Sequence, residues 1–223
     1  IAKKDYNKAS SIISYAESDW SFPIQYRHDL AKAKIALNIA NKEYEKGILS
    51  ISEILETTKN KKEYARLVFI QGQLAETMGN RKEAAVFFEQ ALKGKLNEDL
   101  EFEAKLKVAN LSDHQNADES IDMLTKMLRK GSFQSKLDRI HFALGTNYAQ
   151  MRKNEKAETH FKKSIELSSS NSLKFKGFEA LGNMYYDQKM YLSAAKFYDS
   201  AALLIPSNYP TKEAFLAKNV SLA

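Results

Sequence analysis

Residues 144–164, LGTNYAQMRKNEKAETHFKKS, carry a pattern that returns in residues 71–91 and 181–201. Each copy has a glycine near its start, a small or aromatic residue three positions later, an alanine twelve positions later and an aromatic residue sixteen positions later. The glycines are Gly72, Gly145 and Gly182. The last two lie 37 residues apart and the first two lie 73 apart, so one more copy of similar length is hidden in the longer interval. The chain is therefore predicted to be a tandem repeat.

The spacing within one copy fits two helices joined by a short turn. The twelve residues from Gly72 to Ala84 accommodate the end of one helix, a turn at Gly79-Asn80 and the start of a second, antiparallel helix. Small residues at the two ends of this interval let the helices approach closely, while Phe88 fills the space beside them. Because such a hairpin cannot bury its apolar stripe alone, the copies must stack. Stacked hairpins with this spacing resemble tetratricopeptide repeats.

The resemblance implies an all-α fold, a right-handed solenoid of the tetratricopeptide type with about five antiparallel helix hairpins and partial helices at its ends. We predict that residues 1–223 form a single solenoid domain, taken from a longer chain because it begins at Ile1 rather than at Met. The predicted hairpins span residues 24–58, 61–94, 98–130, 135–168 and 172–205. Residues 1–19 are predicted to be the second helix of a repeat whose first helix is missing, and residues 211–222 to be a terminal helix. The third hairpin is the least regular, with Ala109 in place of the glycine.

Composition is that of a globular protein and excludes several kinds of function. Of the 223 residues, 43% are hydrophobic and 28% are charged, and the 8 glycines and 3 prolines suit a helical chain. No run approaches the ~18 apolar residues of a membrane span, so we expect membrane contact only through an anchor outside this sequence. The net charge of +6 is spread over the repeats and diluted by 28 acidic residues, so nucleic-acid binding is not expected. The absence of cysteine excludes disulfides and thiolate metal sites.

The sequence carries no recognisable catalytic or metal site. The four histidines, His28, His114, His141 and His160, are assigned to different hairpins or different helix faces, and none has the spacing of an HExxH motif. Asp138 stands three residues before His141, but two ligands do not close a metal site, so we interpret His141 as a packing residue. There is no glycine-rich phosphate loop and no GxSxG motif. We therefore predict neither enzymatic activity nor a cofactor.

The inner groove of the solenoid is the predicted site of protein binding. In tetratricopeptide repeats the first helix of each hairpin lines this groove, through its second, fifth, ninth and twelfth places when the small residue is counted as the eighth. The predicted partner-binding residues are Arg66, Phe69, Gln73, Leu106, Asn110, Arg139, Phe142, Thr146, Asn183 and Tyr186. The ninth place is polar in all four copies, and its amides and hydroxyl suit a peptide backbone. No copy combines lysine at the fifth place with asparagine at the ninth, so a cochaperone-type clamp for a C-terminal carboxylate is not expected. The alternative is that these residues are only solvated and that partners bind the outer face or one end.

Residues 64–215 also resemble one particular group of repeat proteins. The resembling segments are RLVFIQGQLAETMG at 66–79, EFEAKLKVA at 101–109, MLTKML at 123–128, LDRIHFALG at 137–145, HFKKSIELSSSN at 160–171 and YLSAAKFYDSAALLIPSNYP at 191–210. They are similar to the PorW/SprE family of lipoproteins, which belongs to the type IX secretion and gliding-motility machinery of Bacteroidetes. YDS at 198–200 followed by NYP at 208–210 is the most specific piece, because a general repeat requires neither.

This second resemblance implies a scaffold lipoprotein on the periplasmic side of the outer membrane, with other envelope or secretion-system proteins as its partners. It offers no catalytic residues, and the anchoring cysteine of the family has no counterpart in this sequence. Two other interpretations stay open: a general peptide-binding adaptor, cytoplasmic or periplasmic, and a docking domain of a larger enzyme. A leader ending in a lipidated cysteine would favour the scaffold, and a flanking catalytic motif would favour the docking domain.

Overall fold

The part of the chain that the structure describes is helical. The computed structural model describes residues 5–111, 117–207, 209, 212, 213 and 215, and within these ranges it has α-helices, two short 3-10 helices and no strand. The α-helices are α1 (Tyr6–Ser18), α2 (Arg27–Ala40), α3 (Tyr44–Leu55), α4 (Lys61–Thr77), α5 (Arg81–Leu92), α6 (Glu98–Leu111), α7 (Ala117–Leu128), α8 (Leu137–Gln150), α9 (Asn154–Leu167), α10 (Asn171–Asp187) and α11 (Tyr191–Ala202). The 3-10 helices are Ile24–Tyr26 and Gly131–Lys136. Most of the predicted terminal helix, residues 211–222, lies outside the described residues.

The chain divides into two compact units, Ile1–Lys107 and Val108–Ala223. In the first unit α2 packs on α1 and α3, and α4 packs on α3 and α5. In the second unit α8 packs on α7 and α9, and α10 packs on α8, α9 and α11. Three residues join α2 to α3, α4 to α5, α8 to α9 and α10 to α11, so the helices of each pair run antiparallel. None of the helices in the described ranges is both long and apolar enough to cross a membrane.

The turns of these four hairpins share one backbone conformation. Each has one residue in the left-handed region, where a side chain is disfavoured. These residues are Lys42 (φ 62°), Gly79 (φ 82°), Arg152 (φ 56°) and Lys189 (φ 60°). The next residue donates its N–H to the carbonyl oxygen five residues earlier, as Met190 does to Tyr185 at 2.9 Å. This bond is the Schellman closure, which satisfies a carbonyl that the end of a helix otherwise leaves without an internal partner.

The two helices of a hairpin approach each other closely at the repeated glycine. A Cβ atom on Gly72 would lie 2.8 Å from the ring of Phe88, and one on Gly182 would lie 2.6 Å from the ring of Tyr198. Both rings are buried. This is the close approach that the sequence pattern predicts, and it explains why an aromatic residue follows the glycine at a fixed interval of sixteen.

A buried amide connects consecutive hairpins in the second unit. Asn147 on α8 is 0% exposed, and its Nδ2 donates to the carbonyl oxygens of Ala143 at 2.9 Å and Ala109 at 3.2 Å. Ala109 belongs to the last turns of α6, so the second bond reaches back to the preceding hairpin. Because a buried amide without partners is destabilising, these bonds favour one placement of α8 against the end of α6.

Aromatic side chains beyond α11 cover the end of the second unit's core. The ring centroid of Phe175 on α10 lies 4.9 Å from that of Tyr209 and 5.6 Å from that of Phe215, both in edge-to-face geometry. The Tyr209 hydroxyl also donates to Glu179 Oε1 at 2.5 Å. The last hairpin is thus shielded by residues that follow it in sequence.

Candidate functional site

The predicted groove residues divide into surface and interior side chains. Those exposed are Arg66, Gln73, Asn183 and Tyr186, and those half-buried are Asn110, Arg139, Phe142 and Thr146. Phe69 and Leu106 are only 4% and 6% exposed. Phe69 stands three residues before Gly72, on the face of α4 that packs against α5, and its ring meets that of Phe88 at a centroid distance of 5.2 Å. The fifth place is therefore a packing place in these two hairpins and offers little surface to a partner.

The second unit has a cavity between α8 and α10 that contains two predicted groove residues, Thr146 and Asn183. We call it the amide cavity, and its volume is about 640 Å³. It is lined by Thr146, Ala149, Gln150, Arg152, Asn154, Phe161, Ala180, Asn183, Met184, Asp187 and Gln188. Ala149 and Ala180 are small, so the space between the two helices stays open. Polar side chains dominate the rest of the lining.

The amides of this cavity offer hydrogen-bonding groups at its wall. Gln150 Oε1 is buried and accepts no hydrogen bond from any residue that the structure describes. Asn183 Oδ1 accepts from the Tyr198 hydroxyl at 2.7 Å, and Gln188 Nε2 donates to the Met184 carbonyl at 3.0 Å, so both amides are held in place. An unpaired buried acceptor costs about 1–3 kcal/mol, and a donor from a bound molecule would offset this cost once the Gln150 side chain turned its Oε1 atom toward the cavity. An extended peptide carries such N–H donors at every residue except proline.

The first unit has two further cavities, which share Lys62 and Arg66 of α4, and together they form what we call the basic cleft. The first cavity has a volume of about 640 Å³ and is lined by Lys32, Ile35, Ala36, Ile39, Asn60, Lys62, Glu63, Arg66, Leu67 and Ile70. The second has a volume of about 640 Å³ and is lined by Lys62, Arg66, Lys95, Leu96, Asn97, Asp99 and Leu100. Arg66 is the predicted groove residue that both cavities contain. The basic cleft therefore combines an apolar floor with a charged rim.

Glu63 forms an ion-pair cluster at one side of the basic cleft. Its Oε1 atom lies 2.8 Å from Lys32 Nζ and 3.1 Å from His28 Nε2. The hydrogen bond from Lys32 is the main cause that lowers the pKa of Glu63, and the same bond raises the pKa of Lys32. Exposed pairs of this kind contribute little to stability. Their consequence here is that the Glu63 carboxylate is occupied by Lys32 and His28.

The structure also brings together two histidines, and in this respect the sequence interpretation was wrong. His141 on α8 and His160 on α9 belong to one hairpin and face each other, with their Nδ1 atoms 2.8 Å apart. Tyr148 stacks on the His160 ring at a centroid distance of 5.4 Å. Burial lowers the pKa of His160 to about 4, helped by the charges of His141 and Lys156, and burial likewise lowers the pKa of His141.

The spacing of this pair contains a signal that would have found it. Residues at similar distances from the turn of an antiparallel hairpin lie opposite each other. His141 stands 11 residues before Arg152 and His160 stands 8 residues after it. Over the described ranges no group of three or more His, Asp or Glu side chains is placed to hold a metal ion. The pair forms a hydrogen bond between α8 and α9.

Comparison with known families identifies two of the hairpins. Residues 65–93 and 138–171 match the tetratricopeptide repeat, and these segments correspond to α4–α5 and α8–α9. The repeat is in general a non-catalytic interaction module whose ligands are proteins or peptides. No curated protein sequence matches the chain.

Solved structures show the same fold. The apo form of RapI has a TM-score of 0.76 at 19% identity, with 97% of this chain and 63% of that chain covered. MamA from Desulfovibrio magneticus RS-1, residues 41 to the end, has a TM-score of 0.62 at 16% identity, with 79% and 94% covered. A tetratricopeptide repeat protein from Parabacteroides merdae has a TM-score of 0.57 at 19% identity, with 97% and 78% covered. Identities this low carry information on the fold alone, and they confirm the predicted fold class.

Proposed function

We propose that this chain, which is built from tetratricopeptide repeats, is a non-enzymatic scaffold that binds an extended segment of a partner protein in the amide cavity. The observation that carries the proposal is the lining of that cavity, where Gln150, Asn183 and Gln188 surround a space floored by Ala149 and Ala180. Amide side chains both donate and accept, so they can pair with the N–H and C=O groups of a peptide backbone whatever its sequence.

The small floor residues matter because a peptide main chain must come close to the helices to reach these amides. Ala149 and Ala180 leave this approach open, and the buried side chains of Phe161 and Met184 complete the lining. Backbone hydrogen bonds of this kind give affinity without strong selectivity, and the partner's own side chains then decide which segment binds best. The site is therefore suited to recognising an extended strand-like segment.

For the biological setting we propose the type IX secretion and gliding machinery, with the chain on the periplasmic side of the outer membrane as part of a lipoprotein. The support is the order of resembling segments in residues 64–215, above all YDS at 198–200 followed by NYP at 208–210. In this setting the bound segment belongs to another envelope component. A general peptide-binding adaptor with the same cavity, or a docking domain of a larger enzyme, is the competing setting.

The binding site can be tested with one matched pair of variants. Asn183→Asp keeps the acceptor that the Tyr198 hydroxyl uses but replaces the amide donor by a carboxylate oxygen. Asn171→Asp makes the same change of charge at an exposed position at the start of α10, outside the cavity. For the tightest peptide selected from a randomised 12-residue library, we expect Asn183→Asp to weaken the affinity by about 1–3 kcal/mol in titration calorimetry. Equal peptide affinities for the two variants would show that the peptide binds outside this cavity.

The setting requires a separate measurement in the native organism. Cells carrying an epitope tag on the full-length protein are fractionated, and the tagged protein is purified after cross-linking in the envelope. Recovery in the outer-membrane fraction together with secretion-system proteins is the expected result. A protein found in the cytosol, or purified without any secretion component, would support the adaptor or the docking domain instead.

A further inference from the structure

The lining of the basic cleft in the first unit has more cationic side chains than carboxylates. Lys62, Arg66 and Lys95 line its rim and are exposed. None of the three forms an ion pair with a residue in the described part of the first unit, whereas Lys32 beside them pairs with Glu63 at 2.8 Å. Glu63 is already engaged by Lys32 and His28, and Asp99 is the other carboxylate in the lining.

The floor of the cleft is apolar next to these cations. Ile35 and Ile39 of α2 and Ile70 of α4 line the cavity between those helices. Ile35 belongs to the buried core of the first unit, and Ile39 and Ile70 pack against that core while remaining partly accessible. An aliphatic side chain placed here would bury apolar surface, which is the main favourable contribution when a ligand binds such a pocket. Neither a free phosphate nor a simple polyanion would use this floor.

We infer that the basic cleft binds an acidic, extended segment of a partner protein, with one aliphatic side chain on the isoleucine floor and flanking Asp or Glu carboxylates at Lys62, Arg66 and Lys95. The rim carries an excess of positive charge and the floor between the charges is apolar, so the cleft is complementary to such a segment. The guanidinium of Arg66 can hold a carboxylate through two parallel hydrogen bonds, and the lysines act as point charges around it. This surface lies in a different unit from the amide cavity and is independent of it.

The charges and the floor make distinct contributions that can be measured separately. Exposed ion pairs are weak one at a time and are screened by salt over about 10 Å at 0.1 M. Their combined effect is therefore expected mainly in selectivity and association rate, with a strong dependence on ionic strength. The apolar contact changes little with salt, so it should persist when the electrostatic part is screened.

The test uses fluorescein-labelled 12-residue peptides that have a central leucine flanked by glutamates. A neutral set replaces each Glu by Gln, and a second set replaces the leucine by serine. Fluorescence anisotropy with the whole chain should show acidic peptides binding at least tenfold more tightly than neutral ones at 50 mM salt, with most of the difference lost at 500 mM. Replacing the leucine should weaken binding at both salt concentrations. Equal binding of acidic and neutral peptides would overturn the inference.

Variants of the cleft residues test whether the acidic peptide binds at the basic cleft. Lys62→Gln/Arg66→Gln should weaken the acidic peptide about tenfold, and Lys95→Gln provides a second, independent loss on the connector before α6. The control is Lys8→Gln/Lys82→Gln, which removes the same charge from exposed positions of α1 and α5 in the same unit. Circular dichroism checks that the variants keep their helical content and melting temperature. An unchanged dissociation constant in both Lys62→Gln/Arg66→Gln and Lys95→Gln would exclude the cleft.

Two further controls separate this inference from its competitors. A poly(U) oligonucleotide or vesicles with anionic phosphatidylglycerol that bind more tightly than the acidic peptide, and lose affinity in Lys62→Gln/Arg66→Gln, would show that the partner is not a protein. Asn183→Asp should leave the salt-dependent preference for acidic over neutral peptides in place, because that preference arises at the cleft and the amide cavity is in the other unit. A loss of acidic-peptide binding in Asn183→Asp with none in the cleft variants would contradict the inference while supporting the amide cavity.

Discussion

The ring of Phe161 on α9 lies against the backbone of Gly145 on α8, so close that a Cβ atom at this position would be 2.6 Å from the ring. Both residues are buried, and atoms at this distance must move apart. Gly145→Ala is therefore expected to destabilise the chain, since overpacking a core costs about 1–3 kcal/mol. That cost exceeds the gain of about 1 kcal/mol that alanine brings over glycine within a helix. The midpoint of urea unfolding measures the difference.

The matched control for this substitution is Gly131→Ala. A Cβ atom on Gly131 would meet no atom within 4 Å, so the change should be close to neutral. In the Gly145→Ala background, Phe161→Leu should recover part of the lost stability because it removes the opposing ring atoms. If Gly145→Ala proved as stable as the parent chain, the helices would have to separate here at little cost.

The hairpin turn at Lys189 offers a stabilising substitution. Lys189 has φ 60°, a left-handed conformation that costs a residue with a side chain about 1–2 kcal/mol and costs glycine far less. Lys189→Gly should therefore raise the free energy of unfolding by up to about 1 kcal/mol, after allowance for the greater flexibility of glycine in the unfolded chain. Gly79→Ala, at φ 82° in the equivalent turn, should lower it. Thermal melts of both variants beside the parent measure the two opposite shifts.

The histidine pair predicts a pH dependence with a defined sign. The pKa of His160 is about 4 in the folded chain, against 6.5 for an ordinary histidine, and that of His141 is also lowered. Between pH 6.5 and 4 the unfolded chain binds protons that the folded chain does not, so stability is complete above pH 6.5 and declines as the pH falls through this window. Melting temperatures measured from pH 7.5 to pH 4.5 should show this decline.

A histidine from the other unit supplies the control for this pH dependence. His160→Gln removes one of the two groups and should flatten the curve, whereas His28→Gln should preserve it because His28 lies beside Glu63, away from the pair. A parent curve that stayed flat between pH 6.5 and 4.5 would contradict the buried, unprotonated state of the pair.

A buried hydroxyl gives a fourth expectation. Ser164 is 0% exposed, and its Oγ atom has no hydrogen-bond partner among the described residues. The corresponding positions in two other hairpins, nineteen residues after the glycine, are Ala91 and Ala201, both buried. Ser164→Ala should therefore stabilise the chain by about 1 kcal/mol, because it removes an unpaired buried polar atom. Ser200→Ala, one residue before Ala201 on α11, changes a hydroxyl that donates to the Lys196 carbonyl at 3.0 Å and should bring no such gain. Urea titrations resolve a difference of this size.

The repeat pattern was sufficient to predict the fold class because its residues are those that helix packing selects. Glycine at 72, 145 and 182 and an aromatic residue sixteen positions later are required by direct contact, and the fold class followed from them. Counting places along a helix was less informative about which predicted groove residues are exposed and which are buried. Phe69 lies one helical turn before Gly72 and thus shares the face that packs on α5, which a count of groove places does not reveal.

The candidate sites depend on neighbours that the sequence does not place. Thr146 and Asn183 were predicted from their places in the repeat, but Gln150 was not, because its importance comes from the alanines and amides that α10 brings opposite it. Likewise the sequence does not show that Lys62 and Lys95 lie at one cleft whose neighbouring carboxylate, Glu63, is paired with Lys32. Which residues line the amide cavity and the basic cleft depends on the distances between helices, which residue types alone do not give.

The amide of Asn147 has a consequence for the order of the hairpins. Stacked hairpins of similar shape can in principle pair in the wrong sequence, because their glycine and aromatic contacts are interchangeable. At the position of Asn147, two residues after the glycine, the other glycine-bearing hairpins have Leu74 and Met184, which cannot donate to a backbone carbonyl. The hydrogen bond from Asn147 to the carbonyl of Ala109 therefore specifies which hairpin precedes this one. A rearranged stack would bury the amide without that partner. The hairpin that carries Asn147 could therefore not change places with another hairpin of this chain without loss of stability.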